Sequence, residues 1–232
     1  MNRQLTVAVD GDAFDAYLFT GPRSPAPGIV MIPEIYGVNG YLRETAQRYA
    51  DRGYTVLALD IFWRLERNVQ LSYEGADNKR AHALHEIFDY DASIADMQAG
   101  TDALRALPEC TGKVGIVGFC LGGTLAYLAA ARCEVDAAVG YYGTTIHDFL
   151  EDAPKIRRPL LLHFGELDHT TPPELMARIV PAIEPNPHVT HYVYEGAGHS
   201  FANHTRDYRF HESATAAADA RTFALFGTEL GV

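Results

Sequence analysis

The hydrophobic pattern opens with two alternating runs, Leu5-Thr6-Val7-Ala8-Val9 and Ala13-Phe14-Asp15-Ala16-Tyr17-Leu18-Phe19, on either side of Asp10-Gly11. Alternation flanking an Asp-Gly pair predicts a β-hairpin, with Asp10-Gly11 as its turn. Beyond a Pro-rich turn the pattern changes. Gly28-Ile29-Val30-Met31-Ile32 and Tyr54-Thr55-Val56-Leu57-Ala58-Leu59-Asp60 are continuous apolar runs, as expected of strands buried on both faces. A helix is predicted between them over residues 40–51, ended by Gly53. Residues 61–77 have no clean period and read as a long surface excursion, a kind of segment that is often functional. Helices are predicted over 79–88 and 91–107, and near 214–226. Strands are predicted over 113–117, 137–142, 160–164 and 189–194.

Strands alternating with helices predict an α/β protein, with a mostly parallel sheet carrying helices on both faces behind the N-terminal β-hairpin. No internal repeat and no linker is visible, so one domain over residues 1–232 is expected. Net charge is −11, from 19 Lys and Arg against 30 Asp and Glu. That balance argues against nucleic acid, whose phosphates need a basic face, and against an anionic membrane surface. No apolar stretch approaches the ~20 residues of a membrane span, and Met1-Asn2-Arg3-Gln4-Leu5 lacks the apolar core of a signal peptide. Three cysteines without CxxC spacing suggest neither a disulfide framework nor a zinc site. A cytoplasmic, thiol-reducing compartment fits.

The candidate chemistry begins at Gly118-Phe119-Cys120-Leu121-Gly122-Gly123. A β-branched run precedes it and Thr124-Leu125-Ala126-Tyr127-Leu128-Ala129-Ala130 follows. Strand, glycine-flanked turn and helix are the context of the nucleophile elbow of α/β-hydrolases, here with cysteine as its central residue. A thiol there needs a base, and the base needs a group to orient it. In this fold they follow in the order nucleophile, Asp or Glu, His. The strand over 160–164 runs into Gly165-Glu166-Leu167-Asp168. The strand over 189–194 runs into Glu195-Gly196-Ala197-Gly198-His199. Parallel strands bring such residues to one edge of a sheet. Taken singly, Cys120 also suits small-residue packing, Asp168 a turn or a helix N-cap, and His199 a satisfied loop histidine. Their joint order favours a catalytic triad.

These motifs carry a resemblance. Pro33-Glu34-Ile35-Tyr36-Gly37, the Cys120 elbow, Gly140-Tyr141-Tyr142-Gly143, Gly165-Glu166-Leu167-Asp168-His169 and Gly198-His199-Ser200-Phe201 together resemble the dienelactone hydrolases (carboxymethylenebutenolidases). The likeness extends from about Val30 to the last helix. It implies the α/β-hydrolase fold, Cys120 as nucleophile, His199 as base and Asp168 as its orienting partner. It also implies that Glu34 contacts the resting thiol and helps form the thiolate. The oxyanion donors expected of the fold are the backbone N–H groups of Leu121 and Ile35.

One departure stands out. The resemblance implies two arginines gripping a substrate carboxylate, but the matching positions hold Asn78 and Asn203, with His82 where a tyrosine is expected. Asn cannot grip a carboxylate bidentately. Lys79, Arg80 or Arg206 stand near enough in sequence to be considered as replacements. Tyr36, Tyr141 and Phe201 are expected to line the pocket with Asn78, His82 and Asn203. Trp63 and Tyr142 suit the pocket or the core equally. His82 and His85, three apart on a predicted helix, lack a third ligand for a metal.

The expected activity is hydrolysis of a small activated ester or lactone through a thioester, by a monomer needing no cofactor or metal. A carboxylesterase for neutral esters is the alternative within the fold. A thiol-based sensor or ligand-binding protein is the alternative outside it.

Overall fold

The computed structural model describes residues 2–231. They form two compact units, one ending at Gly115 and one over Ile116–Gly231.

In the first unit, β1 (Arg3–Val9) and β2 (Asp12–Thr20) pair antiparallel with Val9 opposite Asp12. Asp10 and Gly11 take φ of 49° and 85°, the left-handed pair that matches a hairpin's twist. β2 pairs antiparallel with β4 (Thr55–Leu59), which pairs parallel with β3 (Ala26–Ile32). Every residue of β3 and β4 is buried, which accounts for their continuous apolar runs. α1 (Gly40–Asp51) starts at Asn39, whose Oδ1 accepts the Leu42 amide at 3.2 Å. α3 (Ala92–Ala106) lies close on the strands. A Cβ at Gly28 would meet the Leu104 side chain at 2.9 Å, and one at Gly100 would meet Leu59 at 2.8 Å.

Two expectations are corrected here. α2 begins at Gly75 and ends at Glu86, earlier than predicted. The excursion before it is not simply surface, because Ile61, Phe62, Trp63 and Val69 are buried. These four residues point inward from irregular turns while Leu65 stays exposed, so they leave no period to read. Trp63 belongs to the core: it stacks on Phe14 at 5.7 Å and donates Nε1–H to Asp96 at 2.9 Å.

β5 (Cys110–Phe119) leads into the second unit, where α4 (Leu121–Arg132), β6 (Ala137–Tyr141), β7 (Leu160–Gly165), α5 (Pro173–Ile183), β8 (Val189–Tyr194) and α6 (Glu212–Phe226) follow. β6, β7 and β8 pair parallel in chain order. The alternation along β6 separates the two helix layers. Gly140 faces α4, where a Cβ would lie 2.7 Å from the Gly123 carbonyl oxygen. Tyr141 points the other way and bonds Asp219 and Thr222 of α6. His163, paired with Tyr141 in register, reaches the same Thr222 hydroxyl at 3.0 Å. α4 and α6 therefore cover opposite faces. α5 was not predicted, although Met176, Ile179 and Ile183 recur at helical spacing. Pro172, Pro173 and Pro181 mask it, yet two of them stand at the helix start, where proline is tolerated.

Candidate active site

Cys120 sits between β5 and α4 with φ 57° and ψ −117°, a backbone that costs a non-glycine residue about 1–3 kcal/mol. The neighbouring sequence makes it possible. A Cβ at Gly118 would lie 1.8 Å from the Gly122 carbonyl oxygen, and one at Gly123 would lie 2.4 Å from that of Tyr141. The turn is pinned by the Cys120 amide donating to the Tyr141 carbonyl at 3.0 Å. The Cys120 carbonyl accepts from Gly123 and Thr124 at 2.8 and 3.3 Å. Cys120 is 7% exposed.

Asp168 and His199 come from two loops zipped together by main-chain bonds. The Glu166 amide donates to the Tyr194 carbonyl at 3.0 Å, and the Leu167 amide to that of Ala197 at 2.8 Å. Gly196 returns a bond to the Glu166 carboxylate at 2.9 Å. Gly165 permits the approach, since a Cβ there would meet the Ala197 carbonyl oxygen at 2.5 Å. The result is a continuous chain: His199 Nε2 lies 3.3 Å from Cys120 Sγ, and His199 Nδ1 lies 2.9 Å from Asp168 Oδ2. Asp168 is 2% exposed and His199 9%.

Electrostatics favour a charged pair in this chain. Burial opposes a charge on His199, but its neighbours Cys120 and Asp168 outweigh it and push its pKa up to about 10. Burial likewise opposes the Asp168 charge, yet His199 and Thr170 hold its carboxyl below the usual range. With Asp168 as acceptor, His199 carries a proton on Nδ1 and turns Nε2 to the thiol. Together the three groups can take a proton from sulfur and return it to a leaving group.

Thr170 is a site residue that reading the sequence missed. Its amide and hydroxyl donate to Asp168 Oδ1 at 2.8 and 2.7 Å, and its oxygen lies 3.2 Å from His199 Nδ1. The Asp-x-Thr spacing was the available signal, because Asp bonds the backbone two residues on.

The remaining predicted residues divide. In the first unit Glu34 is buried just beyond β3, its carbonyl accepting the Gly37 amide at 3.2 Å. Ile35 and Tyr36 are buried beside it. The Tyr36 hydroxyl donates to Asn78 Oδ1 at 2.6 Å. His82 is exposed on α2, and His85 lies 3.1 Å from the Tyr90 hydroxyl. Arg80 is paired with Glu66.

In the second unit Leu121 opens α4, directly after Cys120. Three residues expected to line a pocket are fully buried there. Tyr141, Phe201 and Asn203 expose no surface, so none offers a face to a ligand in this conformation. Tyr141 is turned to α6, and Phe201 packs on Tyr142 and Tyr194 at 5.4 and 5.3 Å. Asn203 folds onto its own loop, its Oδ1 accepting the Thr205 amide and hydroxyl at 3.1 and 2.7 Å. Arg206 is spent on Tyr208. Tyr142, with φ of 40°, sets its ring 5.3 Å from that of His199. Among the described residues no cluster of His, Cys, Asp and Glu could hold a metal, and no helix is long and apolar enough to cross a membrane.

An elbow after β5, a carboxylate after β7 and a histidine after β8 define, in that chain order, an α/β-hydrolase, and solved structures agree. The putative dienelactone hydrolase from Klebsiella pneumoniae superposes with a TM-score of 0.88 at 22% identity, covering 98% of each chain. Residues 14–230 match the dienelactone hydrolase family, and the chain belongs to it. It is 38% identical to a carboxymethylenebutenolidase of Pseudomonas putida, over 91% of this chain and 90% of that one. It is 34% identical to carboxymethylenebutenolidase 1 of Cupriavidus pinatubonensis, over 93% and 92%.

Proposed function

We propose that this hydrolase cleaves a small activated ester or lactone, of the dienelactone type, with Cys120 as nucleophile. The observation that carries the reading is the unbroken Cys120–His199–Asp168 chain at a strained elbow. The Cys120 thiolate attacks the acyl carbon, the acyl–oxygen bond breaks and an alkoxide or enolate leaves. The thioester formed on Sγ is then hydrolysed by water that gives its proton to His199. A thiolate is itself a good leaving group, so attack goes forward only against an equally good one; enol lactones qualify and amides do not. Glu34 aids thiolate formation, and the Ile35 and Leu121 amides receive the oxyanion; the resemblance to the family supports these roles.

The relatives named as carboxymethylenebutenolidases support a lactone. Asn78 and Asn203 favour a second reading, a carboxylesterase for neutral esters, because neither position offers a cation. Two measurements test the proposal. Acid quench of a p-nitrophenyl acetate reaction should leave an acetyl group on the Cys120 peptide. A kcat/KM panel of dienelactone against p-nitrophenyl esters then separates the two readings. An acyl group found elsewhere, or none in a burst-competent enzyme, would overturn the mechanism.

A further inference from the structure

Asp60, the residue after β4, is 1% exposed and takes no part in the chemistry above. Its Oδ2 accepts the Asn68 amide at 2.6 Å and the Phe62 amide also acts on the carboxylate, while the buried Oδ1 makes no well-formed hydrogen bond among the described residues. An unsatisfied carboxylate oxygen in the interior is expensive, so the carboxylate's grip on Asn68 calls for a reason.

Asn68 stands at φ 59°, a left-handed turn that redirects the chain into residues 69–71. Those residues run against the loop that follows β3. The Val38 amide donates to the Val69 carbonyl at 3.0 Å, the Leu71 amide donates to that of Tyr36 at 2.9 Å, and Gly37 bridges Gln70. The fit is close: with φ of 70°, Gly37 would place a Cβ 1.9 Å from the Val69 carbonyl oxygen. The loop so braced is Glu34-Ile35-Tyr36-Gly37-Val38.

We propose that Asp60 is a positioning residue, its carboxylate fixing the Asn68 turn so that residues 69–71 brace the loop bearing Glu34 and Ile35. The inference rests on the roles given to those two residues above. Protonation weakens the brace, because a charge-assisted hydrogen bond is roughly twice as strong as a neutral one. The release falls in an accessible range. Burial first, opposed by the Asn68 and Phe62 amides, pushes the Asp60 pKa up to about 6; Asp15 on β2 adds to the rise and Arg67, next to Asn68, opposes it.

Asp60→Asn, a neutral isostere, reports what protonation does. In the full-length enzyme at pH 7.5 the Asn68 and Val38 amides should exchange about tenfold faster than in the wild type, while Val117 in β5, which reports global opening, does not exchange faster. On p-nitrophenyl acetate, kcat should fall about fivefold with KM within twofold, the loss being positional. The wild-type to variant kcat ratio should approach one between pH 7.5 and 5, which cancels the triad's own acid limb. Unchanged Val38 exchange overturns the brace. Faster exchange with unchanged kcat overturns the positioning role, and a ratio independent of pH overturns the proton dependence. The exchange arm needs no turnover, so it reads the brace even if Glu34 and Ile35 have no part in catalysis. Should the variant not fold, Val38 exchange in the wild type, measured against Val117 from pH 7.5 to 5, decides between the same outcomes.

Discussion

Two strand-to-helix connections bear on the candidate chemistry, one directly and one through the loop it braces, and they are built in opposite ways. The β5–α4 turn is a single strained residue, Cys120, whose conformation is permitted by glycines within three positions of it. The connection from β4 to α2 covers residues 60–74 and is held by partners far along the chain: Arg67 bonds the Ala13 carbonyl, Val69 and Leu71 bond the loop after β3, and the Asp96 carboxylate receives Arg64. Local sterics make the first rigid and leave a signature in six residues. The second is rigid only in its tertiary setting. Order at the elbow is thus intrinsic to a few neighbouring residues, whereas in the long connection it is borrowed from distant ones, and substitutions can attack either source.

The largest effect is expected at the elbow itself. Cys120→Ala removes the nucleophile and should lower kcat by at least about 10⁴-fold with the fold intact, since nucleophile deletions in triad enzymes cost on that scale or more. Release of p-nitrophenolate measures the loss, and far-ultraviolet circular dichroism checks the fold. Residual activity within tenfold of the wild type would move the chemistry away from Cys120.

Asp168→Asn comes next, with an expected loss of about 10²–10⁴-fold in kcat, because an amide at 168 can hold His199 in the wrong tautomer. Its pH signature follows from linkage. The Asp168 carboxyl is held below its unfolded value, so its contribution to stability is complete above the unfolded pKa of ~3.9 and disappears as pH falls through the lowered value. Asp60 has the opposite sign. Its folded pKa of about 6 lies above the unfolded value, so its ionised form costs roughly 3 kcal/mol at pH 7 and the cost is relieved between pH 6 and 4. Urea unfolding of Asp60→Asn should therefore show higher stability than the wild type at pH 7 and no gain at pH 4. A variant that is less stable at both would refute the buried-charge account.

Gly37→Ala tests the long connection without touching a titratable group. The new Cβ would collide with the Val69 carbonyl at a positive φ. The loss should be about 2–4 kcal/mol in stability, with kcat reduced about tenfold. Gly11→Ala, at φ 85° with open space around it, should cost only about 1 kcal/mol and leave kcat unchanged. Equal kcat for the two variants would break the contrast between a positioned loop and a plain turn.

That contrast also explains how far the sequence could be read. The hairpin, the buried strands and the elbow follow from local rules, so Asp10-Gly11, residues 28–32 and Gly118–Gly123 announce themselves. Asp168 and His199 were legible because strand ends and chain order fix them. Thr170 was legible in principle, two residues from a predicted site, but a threonine after Asp reads as turn chemistry. Asp60 was not legible: its partner lies eight residues on, in a segment without periodicity. The burial of Tyr141, Phe201 and Asn203 was not legible for a different reason. An aligned position fixes where a Cα stands, whereas neighbouring polar groups decide where its side chain turns. Thr222 and Asp219 claim the Tyr141 hydroxyl, and Thr205 claims the Asn203 oxygen.

The smallest predicted effect concerns what the site lacks. Arginine at 203 would have to enter a fully buried position and abandon the bonds from Thr205, so Asn203→Arg should destabilise the loop before it can improve binding. Asn78 is only half-buried on α2, and its oxygen receives a single bond, from Tyr36. Asn78→Arg should therefore fold, at the cost of that one hydrogen bond of about 1 kcal/mol. If a substrate carboxylate is directed to this helix, KM for a carboxylated lactone should fall about three- to tenfold, because a guanidinium can engage it through two bonds. KM for a neutral p-nitrophenyl ester should stay within twofold. An equal change for both substrates would mean that residue 78 shapes the loop through Tyr36 and never meets the carboxylate, and the choice between lactone and neutral ester would then turn on residues outside α2.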